Sequence, residues 1–557
     1  MREMKMKNAI SKSGWILVTI ALALLLTASA HAATPGITGP TFNLTAQTAY
    51  LNQPDGAMIY SWGYGCNGAP AGHAPAAITS FACPLMQVPG PTLIVTEGQT
   101  VTITLTNNLP TAAGNTSILF PGFNVCVGTI TSGTCTPSAP GTNGVTGLLT
   151  QEAAPGGTVT YTFVASSPGT RGYYSGTQSD LQVEMGLYGA VVVLPNNIPV
   201  GCSAGLPATN AGANAAAQAF WHETDFRLAA AAYDHAKTCY DREYLFQWAE
   251  MDPNIHSQAE AQVLARTGCT AGAPGCSLNV PTEPYKPAYF LINGRSMPDV
   301  MDPNYAAEYP HQPYNGNPHM HPGDLTLIRT VGQGRWQHPF HEHANHVRIL
   351  ARDGNLILSG TNPGQNLAGL LMFNTDTTPG QAFDGIFYFT GRGLNWDPYG
   401  HHPGDTSDPL ASLPCTPDVN GYNTGSPTAI NFWEWCQDHN KPLEVAPFGD
   451  VAGGGPTTLP DANIFTNGAW YGGNPYLGPD ASLRATAPAC ATTSTATLSC
   501  TNLLPSNMQA NPANERGFAF MWHSHNEREI TTNNVFPGGM LMMMLVDSRE
   551  FVIDESN

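Results

Sequence analysis

The stretch QVPGPTLIVTEGQTVTITLTNNLP, residues 87–110, decides the fold class of this chain. Its second half alternates apolar and polar residues from Val101 to Leu105, which is typical of a strand with one buried face. The apolar run over residues 93–95 predicts a second strand, and Glu97-Gly98-Gln99 predicts a turn between the two. A strand, a turn and a strand in this order favour an all-β protein.

The composition fits the same class. Charged residues make up 11% of the 557 residues, whereas glycine and proline number 58 and 47, and this abundance of turn residues is typical of β-rich chains. Acidic residues outnumber basic ones by 40 to 21, which gives a formal net charge of -19. Nucleic acid and anionic lipid are therefore poor partners, because both attract basic proteins.

The first 32 residues resemble a secretory signal peptide. Basic residues precede an apolar run over residues 15–26, and Ala28, Ala30 and Ala32 follow it. Cleavage after Ala32 leaves 17 basic and 39 acidic residues, a net charge near -22. An uncleaved anchor is the alternative, but the run is shorter than the roughly 18 residues of a spanning helix. We therefore expect a secreted, periplasmic or cell-surface protein that makes no membrane contact after cleavage.

All 12 cysteines lie beyond residue 32. An even number in an exported chain predicts disulfides and not metal thiolates. Sequence does not fix connectivity, so the local pairings are hypotheses: Cys66–Cys83, Cys126–Cys135, Cys202–Cys239, Cys269–Cys276, Cys415–Cys436 and Cys490–Cys500.

The V-P-G-P-T strand and the E-G-Q turn resemble the start of a multicopper oxidase, and Pro155-Gly156-Gly157 and residues 186–193 continue the resemblance. It implies two cupredoxin-like Greek-key domains of β-barrel or sandwich form. The predicted boundaries are a signal peptide at 1–32, a first domain at 33–198, a linker at 199–218 and a second domain at 219–557. A disulfide-stapled insertion over about 391–516 interrupts the second domain, because a loop of that length is rare in a compact domain. The alternative is a three-domain oxidase whose middle domain ends near residue 390.

Histidines concentrate in two stretches, HPFHEHANH at residues 338–346 and MWHSH at residues 521–525. Imidazole nitrogen binds copper, zinc and iron. The segments beside both stretches are strand-like, so we expect the histidines at strand ends. The resemblance to cupredoxin sheets implies that these two ends are adjacent, where the rings can converge.

The resemblance assigns a role to each histidine. The family motif H-P-x-H-x-H supplies one blue-copper ligand and two ligands of the trinuclear cluster, here His338, His341 and His343 in that order. The partner motif H-C-H is represented by His523 and His525, but Ser524 replaces the cysteine and Glu529 stands where a later histidine belongs. We expect no blue-copper centre, because such a centre needs His₂Cys coordination.

The first domain departs further from the family. LFPG at residues 119–122 and YYSG at 173–176 replace the motifs H-W-H-G and Y-H-S-H, so four of the eight trinuclear imidazoles are missing. The predicted metal cluster is His341, His343, His523 and His525, with His338 as an outlying candidate. It suits one or two copper ions, with zinc as the second choice. The alternative is a decayed site whose histidines are hydrogen-bonded core residues.

Glu529 has two interpretations. It is a metal ligand or acid–base group beside the metal, or it pairs with Arg528 or Arg348 at the surface. Weaker metal candidates are His319-Met320-His321, His401-His402 and Met540, although the methionines after residue 539 are typical of a buried strand.

The resemblance implies a copper-binding oxidoreductase. With no blue-copper entry point, a small-molecule or metal-ion electron donor has to reduce the cluster directly, and O₂ is the expected acceptor. The alternative is a non-catalytic copper-binding or cell-surface scaffold, and the fold does not decide between them. An oligomer is compatible with the sequence.

Overall fold

The computed structural model describes residues 34–75, 83–138, 144–202, 227–360, 366–389 and 517–547, residue 553, and short segments between 414 and 501. The signal peptide, most of the linker and most of the insertion lie outside these residues, so the predictions for 1–32, 203–218 and His401-His402 are not addressed by the structure.

The all-β prediction is confirmed, and the described strands before residue 200 form two facing sheets and a separate two-stranded sheet. Their bounds are β1 (Gly36–Thr38), β2 (Thr41–Asn52), β3 (Met58–Cys66), β4 (His73–Ala74), β5 (Leu93–Thr96), β6 (Thr100–Asn107), β7 (Cys126–Thr131), β8 (Thr134–Pro137), β9 (Val145–Thr146), β10 (Gln151–Glu152), β11 (Thr158–Val164), β12 (Gly169–Tyr174) and β13 (Tyr188–Leu194). One sheet has the order β12-β13-β5-β1-β4 and the other β3-β2-β6-β11-β7-β8.

The alternation around Val101 has the predicted outcome. Along β6, Val101, Ile103 and Leu105 are buried, and the threonines between them are partly exposed. The buried side chains pack with Tyr161 and Phe163 of β11 in one apolar core. The period of two therefore directs one face of this strand into the sandwich.

The described strands after residue 240 form a second pair of larger sheets and a separate two-stranded sheet. Their bounds are β14 (Arg242–Met251), β15 (Tyr289–Ile292), β16 (His319–Met320), β17 (Thr326–Gly332), β18 (His338–Glu342), β19 (Val347–Arg352), β20 (Asn355–Leu356), β21 (Leu371–Met372), β22 (Asn374–Thr377), β23 (Ala382–Phe387), β24 (Asn474–Pro475), β25 (Ala489–Thr492), β26 (Leu498–Thr501), β27 (Gly517–Ser524) and β28 (Leu541–Asp547). The orders are β15-β14-β17-β23-β19-β20, with β21 on β19, and β16-β28-β27-β18-β22, with β24 on β27.

The second of these sheets joins strands from both sides of the predicted insertion. β18 and β22 precede it, whereas β27 and β28 follow it, and β27 pairs directly with β18. This pairing brings the two histidine stretches together.

One helix was not predicted. α1 (Ser179–Gln182) is a single turn, but α2 (Pro253–Ala265) is a full helix after β14. Asp252 caps α2 by accepting a hydrogen bond from Asn254 N, and Pro253 occupies the first turn, an arrangement that favours helix initiation. Ile255 and Ala259 of α2 are buried in the core formed by the first pair of sheets.

Five predicted disulfides are confirmed: Cys66–Cys83, Cys126–Cys135, Cys202–Cys239, Cys269–Cys276 and Cys415–Cys436. β25 and β26 pair with Cys490 opposite Cys500, and that sixth pairing stays a prediction. Disulfides in this number are typical of an oxidising compartment. Within the described residues, no helix has the length and apolarity that crossing a membrane requires.

Candidate metal centre

The antiparallel pairing of β18 and β27 sets the positions of four histidines. His341 lies directly opposite His523. The ladder continues past the strand ends, because His525 N donates to Pro339 O at 2.8 Å and His343 N donates to Met521 O at 3.3 Å. The four predicted histidines therefore occupy consecutive places along one strand pair.

Strand alternation separates the histidines into two groups. His341, His343, His523 and His525 have odd numbers and share one face of the pair, because successive side chains point to opposite faces. The other face carries Phe340 and Trp522, which are part of the apolar core. His338 and Ser524 lie on that inner face. The alternation therefore moves His338 away from the other four rings.

The four rings on the outer face lie close together. His341 has ring-centroid distances of 4.7 Å to His343, 5.3 Å to His523 and 4.9 Å to His525. His341, His343 and His523 each offer a ligand atom, and these atoms lie within 4.8 Å of one another. The predicted convergence of the two motifs is therefore seen in the geometry.

The nitrogens have the spacing of ligands around one ion. His523 Nδ1 lies 2.7 Å from Ser524 O, so Nδ1 carries the hydrogen and Nε2 has the lone pair. That Nε2 lies 3.2 Å from His343 Nε2. Two nitrogens bound to one tetrahedral ion at about 2.0–2.1 Å are roughly 3.3 Å apart. The Nε2 atoms of His523 and His343 thus have the spacing of two ligands of one ion.

The protonation of the cluster also favours metal binding. Burial, followed by the nearby rings of His343, His523 and His525, lowers the pKa of His341 to about 4. Burial also lowers the pKa of His523. Because a metal binds the neutral imidazole, these two rings are ready to act as ligands at neutral pH.

One side of the cluster is accessible. His341 and His523 are buried, whereas the side chain of His525 is 51% exposed and lies 3.8 Å from Glu527. A reactant can therefore approach the cluster from the side of His525.

His338 has two carboxylate partners. Its Nδ1 lies 2.9 Å from Glu529 Oε2 and its Nε2 lies 2.9 Å from Glu250 Oε2, and all three side chains are fully buried. Both ring nitrogens are hydrogen-bonded, so neither offers a lone pair to a metal in this arrangement. The sequence analysis did not identify Glu250 as a partner of His338. The one available signal was that Glu250 is an acidic residue within the buried strand β14, where a carboxylate needs a partner.

Glu529 is a core residue. It is 0% exposed and accepts hydrogen bonds from Ser524 Oγ and Asn526 Nδ2 in addition to His338. The surface interpretation of Glu529 does not agree with this burial. Glu342, between two cluster histidines, is also fully buried, and burial raises its pKa well above the ordinary range.

The weaker candidates lie elsewhere in the fold. His319 and His321 are buried, and β16 pairs with the far end of β28, where His319 lies opposite Leu545. His523 instead lies opposite Leu541 at the near end. Met540 is fully buried in the apolar core of the second pair of sheets.

Residues 85–198 match a family model described as multicopper oxidase. This part, about a fifth of the chain, is similar to the multicopper oxidases of the cupredoxin superfamily. Members of this superfamily are generally oxidoreductases. Within the matched residues, Leu119 and Tyr174, from the two stretches that stand at the positions of the family's histidine motifs, pair in an antiparallel bridge. Both stretches are thus neighbours in the structure.

The similar proteins differ in how much of this chain they match, and the chain spans less than a fifth of the length of the curated relative. A multicopper oxidase (MCE) of Talaromyces pinophilus is 35% identical over 115 residues, which are 20% of this chain and 16% of that protein. A blue copper oxidase from Nitrosomonas europaea is 14% identical, with 91% of this chain and 85% of that chain covered and a TM-score of 0.41. The multicopper oxidase mgLAC is 19% identical, with 62% and 74% covered and a TM-score of 0.36.

Proposed function

We propose that the protein is an exported copper-dependent oxidoreductase whose redox centre is formed by His341, His343 and His523, with His525 at its accessible side. The observation that carries the proposal is the convergence of three ligand atoms within 4.8 Å of one another. Imidazole donors suit copper best among the metals of this superfamily, and zinc is the second choice. One or two ions fit a cluster of this size.

The residues of the proposed centre would have separate roles. His341, His343 and His523 hold the metal, and His523 is oriented by its hydrogen bond to Ser524 O, as a second ring nitrogen commonly is in metal sites. Copper, when bound, supplies one-electron redox chemistry. Phe373, which is 45% exposed, lies against the ring of His341 at 5.9 Å between centroids and covers part of that ring from solvent.

We further propose that the protein has no blue-copper centre. Ser524 and Glu529 occupy the positions of two blue-copper ligands, and neither a hydroxyl nor a carboxylate replaces the thiolate of a His₂Cys site. The electron donor, a small molecule or a metal ion, would then reduce the cluster directly from the half-exposed side of His525. O₂ is the proposed acceptor.

The test is copper content followed by redox cycling. Protein folded in an oxidising compartment is loaded with copper, dialysed, and analysed for metal per chain and by electron paramagnetic resonance. We expect one or two copper ions per chain and none in the double variant H341Q/H523Q. His311→Gln is the matched control, because His311 is a partly buried histidine that hydrogen-bonds Met86 O, away from the cluster.

The redox-cycling measurement distinguishes the oxidoreductase from the non-catalytic copper-binding scaffold. Reduction of the bound copper by a phenol or a metal ion, and its reoxidation by O₂, supports the oxidoreductase. Bound copper that neither donor reduces supports the non-catalytic copper-binding scaffold instead. A chain that retains no metal at all would contradict both.

A further inference from the structure

A buried chain of hydrogen bonds runs through the side chains next to the metal centre. His338 bridges the carboxylates of Glu529 and Glu250 at 2.9 Å on each side. Glu250 Oε1 in turn accepts a hydrogen bond from Tyr285 OH at 3.0 Å, and Tyr285 OH lies 2.6 Å from Glu184 Oε2. Glu184 belongs to the first pair of sheets by position in the chain, so this hydrogen-bonded path connects both halves of the molecule.

The side chain of Glu250 is surrounded by hydrogen-bond donors. Its Oε1 also accepts hydrogen bonds from the backbone nitrogens of Arg335 and Trp336 at 2.7 and 2.9 Å. Glu529 likewise has three partners, His338, Ser524 and Asn526. Because His338 lies between the two carboxyl groups, this arrangement favours a cation at its position.

His338 supplies that cation. Burial alone would lower the pKa of His338, but the hydrogen bonds and charges of Glu250 and Glu529 outweigh it and raise the pKa to about 9. The ring is therefore doubly protonated at neutral pH, and each N–H donates to one carboxylate. A protonated imidazole thus occupies the position that the family resemblance assigned to a blue-copper ligand.

Glu184 holds a proton at the other end. Burial raises the pKa of Glu184 to about 8, opposed by Tyr285 and Asp252 N, which both donate to the carboxylate when Glu184 is ionised. Glu184 Oε1 accepts from Asp252 N at 2.6 Å, so in the protonated form the proton resides on Oε2, which faces Tyr285. In that form Glu184 donates to the Tyr285 oxygen, and the one hydroxyl hydrogen of Tyr285 donates to Glu250 instead. Two further groups face this end: Arg335 lies over the Tyr285 ring at 4.1 Å, and His256 Nε2 is 3.7 Å from Glu184 Oε1.

We propose that Glu184, Tyr285, Glu250, His338 and Glu529 form a proton relay that delivers protons to the accessible side of the histidine cluster. His338 passes its Nδ1 proton to Glu529, while Glu184 passes a proton to Tyr285 and Tyr285 passes its own to Glu250. Four protons are shared among these groups before the shift and four after it. No bond between heavy atoms changes, and Glu184 is recharged from solvent beside the partly exposed Tyr285.

The output end lies next to the metal ligands. Ser524, which donates to Glu529, lies on the inner face of the strand pair, whereas Asn526, which also donates to Glu529, is exposed and follows the half-exposed His525 in the chain. The relay therefore emerges on the side from which a reactant approaches. The use of these protons in a reaction rests on the proposed function, but their movement does not.

The test measures proton movement in the metal-free protein. Histidine is labelled with ¹⁵N, the His338 ring signals are assigned with His338→Gln, and the exchange of the ring N–H protons with solvent is followed by NMR. In Tyr285→Phe, which keeps the ring and removes the relay hydroxyl, we expect exchange to slow by about a hundredfold, the scale on which loss of a positioned proton-transfer group is felt.

Tyr309→Phe is the matched control. Its hydroxyl donates to Asp302 at 2.6 Å and its ring lies under Arg295 at 4.4 Å, so it reproduces the setting of Tyr285 away from the relay. Unchanged exchange in Tyr285→Phe, or equal slowing in both variants, would overturn the relay. If Tyr285→Phe does not fold, Glu184→Gln replaces it with the same two outcomes. Because the assay uses no metal, a failure to bind copper overturns the proposed function and leaves this result intact.

Discussion

His341 and His523 lie directly opposite each other on adjacent antiparallel strands, and their ring centroids are 5.3 Å apart. The candidate metal centre is therefore built on a strand register and not on loops. A slip of one residue in this register would turn one ring to the opposite face. The backbone ladder that stabilises the sheet also fixes the spacing of the ligands.

The first prediction concerns protonation of the cluster. Burial and the neighbouring rings lower the pKa of His341 to about 4, compared with about 6.5 for an unperturbed histidine. A lowered histidine pKa means that protonation below about 6.5 costs folding free energy, so the ring stays neutral until the pH approaches 4. NMR of the metal-free protein should show His341 titrating near pH 4. A midpoint near 6.5 would contradict the packing of the cluster.

A second prediction uses the shared partner of Ser524 and His338. Both side chains hydrogen-bond to Glu529 Oε2, so they converge on one point. The double variant S524C/E529H places a thiolate and a second imidazole there beside His338, which completes a His₂Cys set. Copper-loaded double variant should show an intense blue colour, and S524C alone should not. A colourless double variant that binds copper only at the outer cluster would disprove the convergence.

A third prediction tests the helix that joins the two halves. Ile255 of α2 is 2% exposed in the core of the first pair of sheets, whereas Leu264 of the same helix is 67% exposed. Ile255→Ala should lower the free energy of unfolding by about 2–5 kcal/mol, because it removes buried methyl groups and leaves a cavity. Leu264→Ala should change it by less than about 0.5 kcal/mol. Denaturant unfolding of both variants provides the measurement, and equal losses would argue against this packing.

The sequence predicted the features that depend on local pattern. Alternation around Val101 indicated a buried-face strand, and the two histidine motifs indicated a common site, because both signals lie within a few residues. α2 was missed although Asp252-Pro253 is a helix-start signal, since its apolar residues are few and pack against strands far away in the chain. The pairing of His338 with Glu250 was also missed, because 88 residues separate them and such contacts are set by topology alone.

The last prediction is a loss of stability at alkaline pH. The carboxylates of Glu250 and Glu529 raise the pKa of His338 to about 9 against the opposing effect of burial. A histidine pKa raised above its unfolded value of about 6.5 stabilises the fold fully below that value, and the stabilisation is lost as the pH rises through 9. Burial of Glu184 raises its pKa to about 8 and acts in the same direction, because the folded state keeps a proton that the unfolded state has lost. The denaturant concentration at the unfolding midpoint should therefore decrease as the pH is raised from 7 to 9.

Two variants distinguish the contributions of His338 and Glu184 to this loss of stability. Glu529→Gln removes one of the two carboxylates that hold the His338 proton, so the fall in the unfolding midpoint between pH 8 and pH 9 should shrink. Glu184→Gln leaves the Glu250, His338 and Glu529 contacts in place, and the fall between pH 8 and pH 9 should persist in it, with a smaller loss below pH 8. Denaturant unfolding at each pH measures the midpoints. If wild type and both variants respond to pH alike, the stored protons contribute nothing to stability, and His338 is not the charged residue that its two carboxylate partners require.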